Sequence, residues 1–92
     1  QAEGASLDPR LAGASLADRA PRNGIGTGVQ LARLKAGSRA AAQGLEQGDV
    51  IVGLNRRQVD DLETLQAFLA QPLRQVVLTV QRGEQGFFVV LR

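Results

Sequence analysis

The sequence predicts an α+β fold of about five short strands and two helices in a single domain, and three observations carry that expectation. First, 92 residues with 43% hydrophobic content can close one compact core and no more. The only aromatics are three phenylalanines, so that core must be built from Leu, Val, Ile and Ala, which favours a small sheet with helices. Second, Gly37 to Asn55, GSRAAAQGLEQGDVIVGLN, sets a capped helix, a glycine stop, a glycine turn and a β-branched strand in fixed order. Third, Val76, Leu78 and Val80 alternate with Val77, Thr79 and Gln81, the period-two pattern of a strand with one buried face.

In chain order, residues 1–6 read as linker and residues 7–92 as the domain. Pro9 fixes φ in the loop before Leu11 and removes an amide donor. Leu11 to Leu16, LAGASL, then reads as a thin first strand, in which Ala12, Gly13 and Ala14 leave room for something to lie beside the backbone; this suits a sheet edge. Ala17 to Gly28, with Pro21, Asn23, Gly24 and Gly26, is a loop by composition. Its glycines are not a phosphate loop, because no Lys-Ser/Thr pair follows them. Val29 and Leu31 begin a second strand that ends near Lys35.

Ser38 is placed to cap a helix over Arg39 to Gln43, and Gly44 supplies the left-handed residue that stops it. Gly48 and Asp49 turn the chain into a strand that ends at Leu54, with Asp49 bonding neighbouring amides. Asn55, Arg56 and Arg57 make a turn, and Gln58-Val59 is a brief extended piece. Asp60 with Glu63 fits a capping box that opens the main helix, which runs to about Gln71 because Pro72 forbids its continuation. Arg82 to Gly86 turns the Val76 strand back as a hairpin into Phe87 to Leu91. On the main helix, Leu62, Leu65, Phe68 and Leu69 cover more than the narrow stripe needed to seal a small core.

Ser38, Ala40, Gly44, Leu45, Gly48, Asp49, Val50, Ile51 and Asn55 together resemble a segment of the PDZ domains of bacterial Deg/HtrA (Do-like) serine proteases, S-x-A-x-x-A-G-L-x-x-G-D-V-I-x-x-x-N. Gln43 stands where that family often has alanine, and the order of elements from Arg10 to Arg92 fits the same fold. The resemblance implies a PDZ-like small, partly open β-barrel or sandwich of about five strands capped by two helices. The LAGASL strand, the non-glycine residues at Asn55-Arg56 and the Phe87 to Arg92 ending resemble the second, C-terminal PDZ domain of such a protease. Arginine tolerates positive φ poorly, so the Asn55-Arg56 turn is expected to differ from the family's Asn-Gly turn.

What the resemblance implies about function is a groove, in which an extended peptide adds as a strand between the first strand and the main helix. Its peptide-binding residues are then Pro9, Arg10, Leu11, Ala12, Gly13 and Ala14 on the strand side and Leu62, Gln66 and Leu69 on the helix side. Leu65 faces the core and Leu11 floors the pocket for the last side chain. Backbone amides of Leu7 to Leu11 are expected to catch the peptide's terminal carboxylate, with Arg10 adding a charge-assisted contact. Pro9-Arg10-Leu11 replaces the family's apolar-Gly-apolar element, which removes one donor, stiffens the loop and weakens that capture.

Composition narrows the chemistry. The chain has no histidine and no cysteine, so it cannot supply a Ser-His-Asp triad, a His-activated thiol or a His- or thiolate-ligated zinc; no catalytic, cofactor-binding or metal residues are expected. Lys and Arg are scattered at a net charge of +2, which argues against nucleic acid. No apolar run approaches the roughly 18 to 20 residues that span a bilayer, so direct membrane insertion is not expected. The partners implied are peptide or unfolded-protein segments, together with the protease domain and other PDZ domains of a parent oligomer. The resemblance places that parent in the periplasm as a serine endoprotease of protein quality control and stress response, with its catalytic domain outside this chain. The alternative is a non-proteolytic PDZ adaptor of a secretion-system or other envelope complex, and a third class is the PDZ domain of a membrane-embedded metalloprotease or a C-terminal processing protease.

Overall fold

Leu16, Val29, Leu31, Ile51, Leu78 and Val80 are all fully buried, and bringing them together requires strands from both halves of the chain to share one sheet. The computed structural model, which describes residues 2–18, 28–71 and 75–91, has the order β1 (Ala2–Glu3), α1 (Gly4–Leu7), a 3₁₀ turn (Pro9–Leu11), β2 (Ala14–Asp18) and β3 (Val29–Leu34). It continues with α2 (Arg39–Ala42), β4 (Val50–Leu54), β5 (Arg57–Gln58), α3 (Leu62–Leu69), β6 (Val76–Arg82) and β7 (Gln85–Leu91). The strands lie in the order β1-β2-β3-β4-β6-β7, with β5 paired to β4 beside that path, and every pairing is antiparallel. This is the α+β fold expected, an open antiparallel sheet with few helices.

The middle of the chain folds as its sequence dictates. The Ser38 hydroxyl accepts a hydrogen bond from the Ala41 amide at 3.2 Å, which caps α2, and Gly44 ends the helix at a φ of +98°. Val76, Leu78 and Val80 of β6 point into the core, while Val89 and Leu91 of β7 seal it from the neighbouring strand. Asp49 does bond a neighbouring amide, accepting from Glu46 N–H at 2.9 Å. It does more than that. Its fully buried carboxylate also takes Arg82 Nε at 2.7 Å and Nη2 at 2.8 Å, a forked pair that fastens the turn before β4 to the end of β6.

Four local expectations are corrected. Leu11 to Leu16 is not one strand, because Pro9 opens a 3₁₀ turn that includes Leu11 and Gly13 sits at a φ of +96°, so extended pairing starts only at Ala14. The cap of α3 is Asp61 rather than Asp60: the Asp61 carboxylate accepts from Thr64 N–H at 2.8 Å, and Glu63 lies in the first turn. The hairpin turn after β7's partner is tighter than Arg82 to Gly86, since Arg82 pairs directly with Gln85 around Gly83 and Glu84.

The last concerns Asn55 and Arg56, which adopt φ values of +51° and +70°. A two-residue connection between Leu54 and Arg57, which are paired, needs both central residues left-handed to match strand twist. Asn55 offsets the strain, donating through Nδ2 to Gln75 O at 3.0 Å and accepting through Oδ1 from Val77 N–H at 2.9 Å. Residues 2–6, which read as linker, lie in β1 and α1 against β2. Pro72 and the glycines at 24 and 26 fall outside the described residues.

Gly44 has open space where a Cβ would stand, so the cost of a side chain there is backbone strain alone. Gly44→Val is expected to lower stability by about 1–2 kcal/mol in chemical denaturation, against less than about 0.5 kcal/mol for Gln47→Ala on the exposed turn nearby. Equal midpoints for the two variants would contradict the left-handed stop.

Candidate functional site, the groove between β2 and α3

The space between β2 and α3, where the resemblance puts the peptide, is set by how α3 is held to β2. Asp61 caps the helix, and the apolar spacing turns Leu65 wholly into the core while Leu62, Phe68 and Leu69 are half-buried against it and Gln66 is exposed. Asp18, the last residue of β2, accepts from Leu62 N–H at 2.6 Å, so the end of the strand is tied to the first turn of the helix. Gly28 N–H donates to Asp60 O at 2.9 Å and reinforces the same corner. Together these bonds fix the spacing of strand and helix at one end of the groove.

On the strand side the sequence placed Pro9, Arg10, Leu11, Ala12, Gly13 and Ala14. Leu11 and Ala14 are completely buried, so Leu11 stands in the core beneath the loop. Gly13 carries no Cβ because one would collide with the Ser38 side chain, and that close approach lets Ala40 N–H reach Ala12 O at 3.0 Å and Lys35 N–H reach Gly13 O at 2.8 Å. The backbone of Ala12 and Gly13 is thereby anchored to α2 and to the end of β3. Pro9 is exposed at the start of the 3₁₀ turn.

The loop itself differs from an open nest of amides. Arg10 N–H donates to Asp8 Oδ1 at 2.8 Å, Leu11 N–H to Asp8 O at 2.9 Å and Ala12 N–H to Pro9 O at 3.2 Å. The Arg10 guanidinium is also committed, with Nε 2.8 Å from Asp8 Oδ1, Nη2 2.6 Å from Asp8 Oδ2 and Nη1 3.5 Å from Leu91 O. Arg10 therefore meets a carboxylate, as charge predicts, but that carboxylate belongs to this chain. The side-chain hydrogen bond from Arg10 is the main force holding the Asp8 carboxyl below its ordinary value, and the Arg10 amide adds to it against the opposing effect of burial.

Sequence reading missed Asp8 and Asp18 as parts of the site. For Asp8 a signal was present, since Asp-Pro favours turn initiation. Asp18 carried none, because its partner Leu62 lies 44 positions away.

Because its carboxyl is stabilised as the anion in the folded state, Asp8 contributes stability above its unfolded value of 3.8 and loses that contribution as pH falls through the lower folded value. Asp8→Asn is expected to cost about 1 kcal/mol near neutral pH, discounted for partial solvent access, with the gap to the parent chain closing well below pH 3.8. Thermal melts across that range check it; a gap that stays constant would show that the charge is not what holds the turn.

Comparison with known proteins bears on the whole chain. A family model for the PDZ domain matches residues 31–82. The periplasmic pH-dependent serine endoprotease DegQ of Escherichia coli is 33% identical over 86 residues, which are 94% of this chain and 19% of DegQ. The magnetosome formation protease MamE of Magnetospirillum gryphiswaldense is 39% identical over 74 residues, 77% of this chain and 10% of MamE. The chain thus spans about a fifth or less of the length of these relatives. The solved PDZ domain of HtrA3, bound to a phage-derived ligand of sequence FGRWV, superposes with a TM-score of 0.72 over 86% of this chain and 79% of its own at 22% identity, a likeness of fold. The chain belongs to the PDZ domain family, in the branch related to the Deg/HtrA serine proteases.

Proposed function

We propose that this domain binds extended polypeptide segments in the groove between β2 and α3, and that it serves as a substrate-tethering module of a periplasmic Deg/HtrA-type serine endoprotease whose catalytic groups lie in another domain. One observation carries the binding site: β2 ends tied to the first turn of α3 by the Asp18 to Leu62 bond, with half-buried Leu62 and Leu69 presented beside it. A ligand strand gains main-chain hydrogen bonds from β2 and side-chain pockets from the helix. Pro9 to Ala14 on one wall and Leu62, Gln66 and Leu69 on the other remain the proposed contact residues. Misfolded envelope proteins are the proposed source of such segments, and relatives named as periplasmic proteases support the location. Neighbouring subunits of the parent oligomer are further candidates for the same groove.

The loop geometry favours internal segments over free C termini. The amides of Arg10, Leu11 and Ala12 already donate within the turn, and the Asp8 carboxylate repels a second anion.

Amide chemical-shift perturbation with a small peptide library that includes FGRWV tests the site. Binding is expected with a Kd of about 10 μM to 1 mM, because a short strand offers few contacts and must be ordered on binding. Shifts should centre on residues 9–18 and 62–69, Leu62→Asp should abolish them with the fold intact, and amidating the peptide's C terminus should change affinity by less than about threefold. Shifts confined to other surfaces would overturn the groove, and strong loss on amidation would overturn the preference for internal segments.

A further inference from the structure

A strand has two edges for pairing, and both edges of β2 are in use. β3 takes one, from Ala14 paired with Leu34 to Asp18 paired with Val29. β1 takes the other, with Ala2 opposite Leu16 and Glu3 opposite Ser15, and the Ser15 hydroxyl lies 3.4 Å from Glu3 Oε1 in position to donate to it. A ligand strand added to β2 must use the edge that β3 leaves, which is where β1 sits.

The direction and the sequel of β1 matter as much as its place. It runs antiparallel to β2, so the chain travels from Ala2 toward the start of β2 and the loop before it. There Gly4 is buried against Leu11, and a Cβ at that position would overlap the Leu11 carbonyl. The single turn of α1 follows, closed by Asp8 N–H donating to Gly4 O at 2.9 Å, and it delivers the Asp8 carboxylate to the Arg10 amide and guanidinium. One short segment thus supplies the two things a peptide ligand of such a groove brings, an extended backbone on the strand edge and a carboxylate at the loop.

We infer that β1, seated by Gly4 and the turn of α1, acts as an internal pseudo-ligand, which occupies the groove in the resting domain and must be displaced before an outside segment can pair with β2, while Asp8 stays bonded to Arg10. The inference rests on the peptide-binding reading of the groove given above. Two-residue pairing makes β1 easy to release, so the segment lowers apparent affinity by the fraction of molecules in which it is in place rather than closing the site for good. Release of β1 itself costs little of the core, since Ala2 is half-buried and Glu3 exposed, whereas Leu7 packs against the core and Asp8 is buried, so that these two stay in place.

Two variants test it on the full chain. Gly4→Ala expels the segment through its clash with Leu11, and the double change Ala2→Pro with Glu3→Pro removes both amide donors of β1 without touching a buried position. With the same peptide library, including FGRWV, both variants are expected to bind about tenfold tighter than the parent chain, with shifts on residues 14–18. The double-proline variant keeps the test decisive if Gly4→Ala loses stability. Affinities equal to the parent's would overturn the pseudo-ligand while leaving the groove intact. No binding by the parent or by either variant would overturn the groove reading, and the pseudo-ligand with it.

Discussion

Backbone amides and carbonyls that leave water must be bonded to something, and at the β2 end of this domain that requirement decides the local structure. Leu11 is fully buried, so the chain that carries it into the core cannot leave its amides open. The 3₁₀ turn answers for Leu11 and Ala12 through Asp8 O and Pro9 O, and the Asp8 carboxylate answers for Arg10. Lys35 and Ala40 then use the carbonyls of Gly13 and Ala12. The result is a loop that is self-satisfied, fixed against α2 and β3, and rigid enough to set where β2 begins. Groove position, helix spacing and the seat of residues 2–8 all follow from it.

The same requirement explains which parts of the fold are legible in the chain. Ser38 to Leu54 reads correctly because each of its signals is local: a hydroxyl three residues from the amide it caps, a glycine at the helix end, a glycine before the strand. The two strands of the Val76 hairpin read correctly because alternation shows which face of β6 is buried, although the turn between them is tighter than expected. Part of what is not legible depends on a distant partner. Arg56 accepts a positive φ because the two-residue hairpin demands it and Asn55 is bonded to Gln75 and Val77, some twenty positions on. Asp49 looks like a turn acid until Arg82 arrives from 33 positions away. The thin first strand shrinks because Pro9 and Gly13 impose their own geometry on LAGASL.

Of the groove, the helix wall is the legible part, since period and burial agree on Leu65 inward with Leu62 and Leu69 beside it. The strand wall is less legible: Pro9 to Leu11 form a 3₁₀ turn and the strand starts at Ala14, and nothing in their spacing reveals that Arg10 is committed to Asp8 or that β1 lies along β2. Charge near a loop suggests an anion as its partner. Only the fold tells whose anion it is. On the inference drawn above, this domain carries its own competitor, and its affinity for outside segments depends on how firmly β1 is seated as well as on the groove walls.

Amide hydrogen exchange of the free chain, resolved by residue, tests the self-satisfied loop most directly, because it reports donors rather than ligands. The structure requires Arg10, Leu11 and Ala12 to exchange at least about a hundredfold more slowly than unstructured amides in the absence of any peptide. Exchange of these three at open-chain rates would contradict it, for it would mean that the donors stand free and that the loop is a vacant carboxylate nest after all.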